Sequence, residues 1–303
     1  MLDPIKVLEY LITVLRIMAA VNMAKRKEKV PHGTRWKTGR LFPGPCVRMS
    51  GPLGIALDRD GALLRLVLNR PKANIVDAEM IAALDDALGD HAANKHLAAV
   101  LLEAEGPHFS FGASVEEHLP DSCAQMLAAL HALVKTMLEY PVPVLVAING
   151  QCLGGGLELA MAGHYLFAAP TANLGQPEMM LGVFAPAASC LLPERVGQAR
   201  AEDLLYSGRS VSGTQALAMG LVDTLADDPT AAALAYFDKH LGRKSASSLR
   251  FAVRAARMGF TERMAAKLQA VEDLYLKELM STHDAVEGLE AFLAKRKAKW
   301  KNT

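Results

Sequence analysis

Apolar positions follow two regimes along this chain. Between residues 53 and 230 short apolar runs alternate with stretches repeating every three to four residues, and from residue 231 onward the spacing is helical with few strand signals. Residues 53–68 make two alternating segments around Asp60-Gly61, which predicts a hairpin with a two-residue turn, closed by Asn69-Arg70-Pro71. Asp77 is placed to cap a helix in which Met80, Leu84 and Leu88 lie four apart on one face. Residues 98–102 read as a buried strand, and residues 144–148, branched and apolar behind two prolines, as another. Ser114 followed by Glu117 has the pattern of a capping box and predicts a helix start. Ser212 is placed to cap residues 213–219, and Gly220-Leu221-Val222 predicts a turn into a returning strand. The final pattern, AFLAKRKAKWKN, predicts a basic helix.

The beginning of the chain lacks such regularity. Residues 5–21 are apolar but interrupted by Lys6, Glu9 and Arg16, too broken and too short to span a bilayer, and no small-residue cleavage site follows them. Residues 25–52 read as unstructured. The expectation for residues 1–52 is an extension outside the fold, with Met23 and Met49 as alternative starts. A targeting piece, or an amphipathic segment lying on a membrane surface, is the other reading.

Composition narrows the class. With 303 residues, 51% hydrophobic and 21% charged, the chain can bury a large core as an ordinary globular protein. Its net charge of +1 hides nine Lys or Arg against three acids in residues 1–40, so the basic excess belongs to the terminus. No nucleic-acid reading motif accompanies that charge, and no nucleic-acid or membrane partner is expected. The four cysteines, Cys46, Cys123, Cys152 and Cys190, are far apart with no CxxC pair. That argues against a metal knuckle or a disulfide framework and for a reducing, cytoplasmic setting.

The candidate chemistry centres on Gly154, Gly155, Gly156 and Glu158, between the strand at 144–148 and a helix-forming stretch at 157–162. Glycines at a strand-to-helix turn let the backbone approach a ligand, and the first helical turn offers unpaired N–H groups at the positive end of the dipole. Alone, the motif also fits a tightly packed helix start with a favourable first-turn charge. Its context adds to it. The amide of Ala113, at a Gly-Ala turn, is a second free donor, and two such N–H groups from separate loops make an oxyanion hole. Glu178, beside the rigid Pro177, is the candidate second carboxylate for acid–base work.

These motifs together resemble the crotonase superfamily of enoyl-CoA hydratases and isomerases. LNRPKAN, FSFGAS, AINGQCLGGGLELA, LGQPEMMLG, YSGRSVSGTQALAMGLVD and EGLEAFLAKRKAKW occur in the same order, and the resemblance covers residues 53–301. It implies an α/β spiral of ββα units with two nearly perpendicular sheets over residues 53–230, a helical trimerisation region at 231–303, and a homotrimer or homohexamer. It implies a coenzyme A thioester as substrate, hence no separate cofactor and no metal. It places the two oxyanion-hole amides on Ala113 and Gly155 and the paired carboxylates on Glu158 and Glu178. Glu158 is then expected to deprotonate water, and Glu178 to deliver a proton to carbon. Phe292 and Lys295 match positions that reach the adenine and phosphates of coenzyme A, often from a neighbouring subunit.

The chain departs from the family pattern at Ser114 and Glu116, which bears on the coenzyme A contacts near that loop, and in the segment VFAPAASCLLPERVG, residues 183–197, which implies an altered acyl pocket. RPKANIVDAEMIAALDDAL, FSFGASVEEHLP and VFAPAASCLLP resemble the branch of the family that hydrates a cyclic dienoyl thioester in the breakdown of aromatic rings. A general enoyl-CoA hydratase, a double-bond isomerase and a non-catalytic acyl-CoA binder are the rival readings.

Overall fold

The computed structural model describes residues 48–303. Most of the N-terminal extension, with its amphipathic and basic segments, lies outside the described residues. Its last part does not behave as an extension: β1 (Arg48–Ser50) pairs antiparallel with β2 (Leu53–Asp58) as an edge strand. The hairpin of β2 and β3 (Leu63–Leu68) is present, but its connection is four residues long. Gly61 N–H donates to the Asp58 carbonyl at 3.1 Å, which centres the tight turn on Arg59 and Asp60, at φ +53° and +56°. The Arg59 guanidinium is held from outside the hairpin by Asp238, at 2.7 and 2.9 Å. That distant pairing accounts for an arginine in the left-handed region.

Chain order continues with α1 (Ala78–Ala92), β4 (Ala99–Ala104), α2 (Pro120–Leu138), β5 (Val144–Ile148), β6 (Gln151–Leu153), α3 (Gly155–Ala162), β7 (Tyr165–Ala168) and β8 (Asn173–Gly175). Then come α4 (Pro186–Val196), α5 (Gln198–Ser207), β9 (Ser210–Ser212), α6 (Gly213–Met219), β10 (Thr224–Leu225), α7 (Pro229–Tyr236), α8 (Ala246–Lys277) and α9 (His283–Leu293). One sheet runs β1-β2-β3-β4-β5-β7-β10, parallel from β3 onward, and the other runs β6-β8-β9. Alternation along the buried parallel strands divides the core. Leu64, Leu66, Val100, Leu102, Val144 and Val146 face α1 and α2, while Leu63, Leu101, Leu145 and Phe167 face Ala233 and Phe237. The returning strand is the short β10, which begins at Thr224 just past Gly220-Leu221-Val222.

Local caps hold where their partners are local. Asp77 accepts from Met80 N–H at 3.1 Å, and Ser212 with Gln215 forms a capping box on α6. The capping box expected at Ser114 and Glu117 is absent. Glu117 accepts from Ala78 N–H on α1, the Ser114 carbonyl pairs with the His118 ring, and α2 starts at Pro120. The expected basic end helix also stops early, at Leu293. Beyond it Lys295 is left-handed at φ +55° and the chain folds back, with Lys299 N–H donating to Glu287 and Lys301 and Asn302 N–H donating to Asp284, each at 2.7 Å.

Candidate active site

The site grows from the junction of β6 and α3. Gly154 adopts φ +50° and ψ −130°, a backbone state open to glycine, and its N–H donates to the Gly175 carbonyl of β8 at 3.0 Å. The chain then turns into α3, whose first residue is Gly155. Alongside runs the loop 109–114, pinned by Ser110 N–H to the Gln151 carbonyl at 3.0 Å and by Leu153 N–H to the Ser110 carbonyl at 3.1 Å. Gly112, at φ +108°, turns this loop so that Ala113 meets Gly155. A Cβ placed on Gly155 would lie 3.0 Å from the Ala113 nitrogen, and one on Gly156 would lie 2.6 Å from Ser110 Cβ. The glycines therefore permit a close approach of two loops, and neither the Ala113 nor the Gly155 N–H has a hydrogen-bond partner among the described residues.

Both nitrogens border one pocket with Glu158, Glu178, Phe111, Val183, Phe184 and Leu289 on its walls. Glu158 sits in the first turn of α3 and is 3% exposed. Its Oε1 accepts from Ala188 N–H at 2.8 Å, within the first turn of α4. Burial drives its pKa up from 4.5 to about 7, and the amides of Ala188 and Ala187 pull against that shift. Glu178 projects from the turn Pro177–Leu181, half-buried, with Oε1 only 2.6 Å from the place a Gly154 Cβ would occupy. The buried Gln176 amide, turned so that its nitrogen faces the carboxylate, donates to Oε2 and Oε1 at 3.0 and 3.1 Å. Burial first, and the Glu158 charge second, hold the Glu178 carboxyl well above the usual carboxylate range. This is a pair in which one acid keeps its proton while the other can give it up near neutrality.

Four of the six residues singled out in the sequence therefore meet: Ala113, Gly155, Glu158 and Glu178. Phe292 and Lys295 do not join them. Phe292 is half-buried on the last turn of α9, Lys295 is exposed beyond it, and Leu289 is the residue of that helix on the pocket wall. Ser114 and Glu116 lie off the wall as well, whereas the divergent segment supplies Val183, Phe184, Ala185 and Pro186. Sequence reasoning missed Gln176, although it stands inside a quoted motif, and Leu289, which nothing local distinguishes from a packing leucine.

Residues 58–303 match the family model described as enoyl-CoA hydratase/isomerase. The chain is 68% identical over 253 residues to the cyclohexa-1,5-dienecarbonyl-CoA hydratase of Thauera aromatica, covering 84% of this chain and 98% of the relative. It is 33% identical to a probable enoyl-CoA hydratase of Bacillus subtilis, covering 82% and 98%. Among solved structures, an enoyl-CoA hydratase/isomerase from Pseudoalteromonas atlantica superposes with a TM-score of 0.74 at 28% identity, covering 82% of this chain and all (100%) of that one.

Proposed function

The chain belongs to the enoyl-CoA hydratase/isomerase family, and from that premise we propose that it adds water to cyclohexa-1,5-diene-1-carbonyl-CoA, giving 6-hydroxycyclohex-1-ene-1-carbonyl-CoA in the anaerobic degradation of benzoyl-CoA. The likeness to the Thauera hydratase supplies the substrate. The observation that carries the mechanism is the convergence of two partnerless amides and two carboxylates of unlike proton affinity on one pocket.

Electron counting assigns the steps. C2 and C6 both neighbour the carbon that bears the carbonyl, but only C2 ends the double bond conjugated with it, C1=C2, so attack there alone sends charge to the thioester oxygen. Attack at C6 would leave a carbanion at C5 outside conjugation with the carbonyl. Addition of hydroxide at C2 gives a dienolate whose charge is shared by the oxygen, C1 and C5. Protonation at C5 moves the remaining double bond to C1–C6, which on renumbering is the 6-hydroxy-1-ene. The Ala113 and Gly155 N–H groups stabilise the dienolate oxygen more than the neutral carbonyl. Glu158, ionised near neutrality and fixed by α4, takes the proton from water. Glu178, protonated at rest, delivers a proton to C5. The amino acids that receive and give protons thus address carbons across the ring from one another.

Two assays test this. The purified enzyme should turn over the cyclic dienoyl-CoA with a higher kcat/KM than crotonyl-CoA, the reverse order favouring a general enoyl-CoA hydratase. Glu158→Gln and Glu178→Gln should each lower kcat by about 10²- to 10⁴-fold, with near-normal thioester binding. Near-normal hydration in either variant overturns the assignment, and binding without turnover in the wild type would identify an acyl-CoA binder.

The exposed Phe251, Met258 and Leu274 on α8 support a homotrimer or a pair of trimers built through the helical region. In that assembly Phe292 and Lys295 reach coenzyme A bound at a neighbouring subunit. The buried free thiols of Cys123, Cys152 and Cys190 support a cytoplasmic setting. Among the described residues no helix is long and apolar enough to cross a membrane.

A further inference from the structure

The pocket wall carries a third titratable side chain, His118, that the proposed steps do not use. It stands on the short turn Glu116–His118 that precedes α2. Side chains diverge there: Glu116 is exposed, Glu117 is anchored to the Ala78 N–H at 3.2 Å, and the half-buried His118 borders the pocket. Apart from His118, Glu158 and Glu178, every side chain on that wall is a hydrocarbon. The imidazole is fixed at one nitrogen, Nδ1 lying 2.7 Å from the carbonyl oxygen of Ser114, the residue after Ala113. A carbonyl oxygen only accepts, so Nδ1 carries the hydrogen and donates it. Burial lowers the pKa of the ring from its ordinary 6.5, against the pull of that carbonyl, so the ring is neutral at pH 7. This tautomer leaves Nε2 with a lone pair and no hydrogen. Nε2 has no partner among the described residues, and it is not sealed in as the Nε2 atoms of His131 and His164 are. His118 thus offers the pocket an accessible hydrogen-bond acceptor that is not a carboxylate.

An acceptor needs a donor, and the acyl group brings none: it is a hydrocarbon ring with one carbonyl oxygen, which itself accepts from the Ala113 and Gly155 amides. The donor comes with the water. One of its O–H groups loses the proton to Glu158, and the other stays on the oxygen when that oxygen bonds to the ring. We infer that His118 Nε2 accepts a hydrogen bond from this retained O–H, first in the attacking water and then in the hydroxyl of the product. With one hydrogen directed to Glu158 and the other to His118, the water turns a lone pair toward C2. No bond is made or broken at His118. It orients the nucleophile and favours a hydroxylated ring over the same ring without the hydroxyl. The inference rests on the hydratase reading above.

His118→Asn separates the two nitrogens, because an asparagine amide can still donate to the Ser114 carbonyl but has nothing where Nε2 stands. Binding is measured for two thioesters, 6-hydroxycyclohex-1-ene-1-carbonyl-CoA and cyclohex-1-ene-1-carbonyl-CoA, which differ by the hydroxyl alone. The variant should bind the hydroxylated ligand about tenfold more weakly and the other within about twofold of wild type, and kcat/KM for the dienoyl-CoA should fall about tenfold as well. Equal weakening for both ligands would place the contact on the coenzyme A part or make His118 a packing residue. No change for either would mean that the ring serves only to hold Ser114, a task asparagine keeps. Both outcomes overturn the inference. A second measurement needs no variant: wild type must already bind the hydroxylated thioester the more tightly, and equal affinities overturn the inference too. Wild-type turnover of the dienoyl-CoA tests the hydratase reading separately, so an active wild type with an indifferent variant sinks only this one.

Discussion

Gly154→Ala isolates the geometry on which the site depends. Two penalties act on the new methyl group. The first is backbone strain, because φ +50° with ψ −130° belongs to glycine and costs a substituted residue about 1–3 kcal/mol. For a chain of this size that lowers Tm by about 2–4 °C per kcal/mol. The second is a collision: the Cβ would lie 2.6 Å from Glu178 Oε1, where real Cβ contacts essentially never fall below 3.0 Å. The Glu178 carboxylate has to move aside, because Gly154 is tied to β8 by its own N–H. A misplacement approaching 1 Å in a reacting group costs on the order of 10²-fold, so kcat should fall roughly ten- to a hundredfold while KM changes little. Gly61→Ala is the control. It too has a left-handed backbone, at φ +83°, but nothing lies within 4 Å of its added carbon, so it should lose stability and keep kcat. The assay is steady-state hydration of the dienoyl-CoA beside a thermal melt. A Gly154→Ala enzyme with kcat within about threefold of wild type would show that Glu178 need not stand where it does, and would remove it from the chemistry.

Three other outcomes follow from the same structure. Both carboxyls titrate above their ordinary value of 4.5, Glu158 near 7 and Glu178 raised well above it by burial and by the Glu158 charge, so each favours the folded state fully below about pH 4.5 and loses that contribution as pH rises through its folded pKa. Glu158→Gln should therefore melt higher than wild type at pH 8 and no higher at pH 4; the opposite order in thermal melts contradicts the assigned burial. In activity the pair should give a bell, with kcat/KM rising near pH 7 as Glu158 ionises and falling at higher pH as Glu178 loses its proton, and a profile flat from about pH 6 to 9 would count against paired acid–base work. Trp300 lies where a Cβ on Gly182 or on Gly288 would meet its ring at 3.0 Å, so it straps the end of the Glu178 turn to α9. Trp300→Ala should cut kcat about three- to tenfold by loosening that turn, with substrate affinity little changed; unaltered kcat would mean the turn holds itself.

What could be read in the sequence was what has local partners. The run at 144–148 became β5, and the caps at Asp77 and Ser212 each bond an amide three residues on. Ser114 with Glu117 has an equally good capping pattern and failed, because the Glu117 carboxylate goes to Ala78, 39 residues away. The basic end failed for the same reason, its backbone being held by Asp284 and Glu287. At the site, the three glycines and Glu158 announced a helix start close to a ligand, but that Ala113 stands beside Gly155 followed from resemblance, since no spacing fixes the distance between separate loops.

The two acids differ in how they are held, and the difference suits the tasks proposed for them. Glu158 is locked twice, in the first turn of α3 and against the amides of α4. Those amides stabilise its charged form, which a base needs at neutral pH. Glu178 rides on a short turn, held by a side-chain amide and by contact with Gly154. A base that activates water needs one fixed position. In the proposed reaction Glu158 is thereby fixed beside the water, and Glu178 is held by Gln176 and Gly154 in one place from which to deliver its proton to C5.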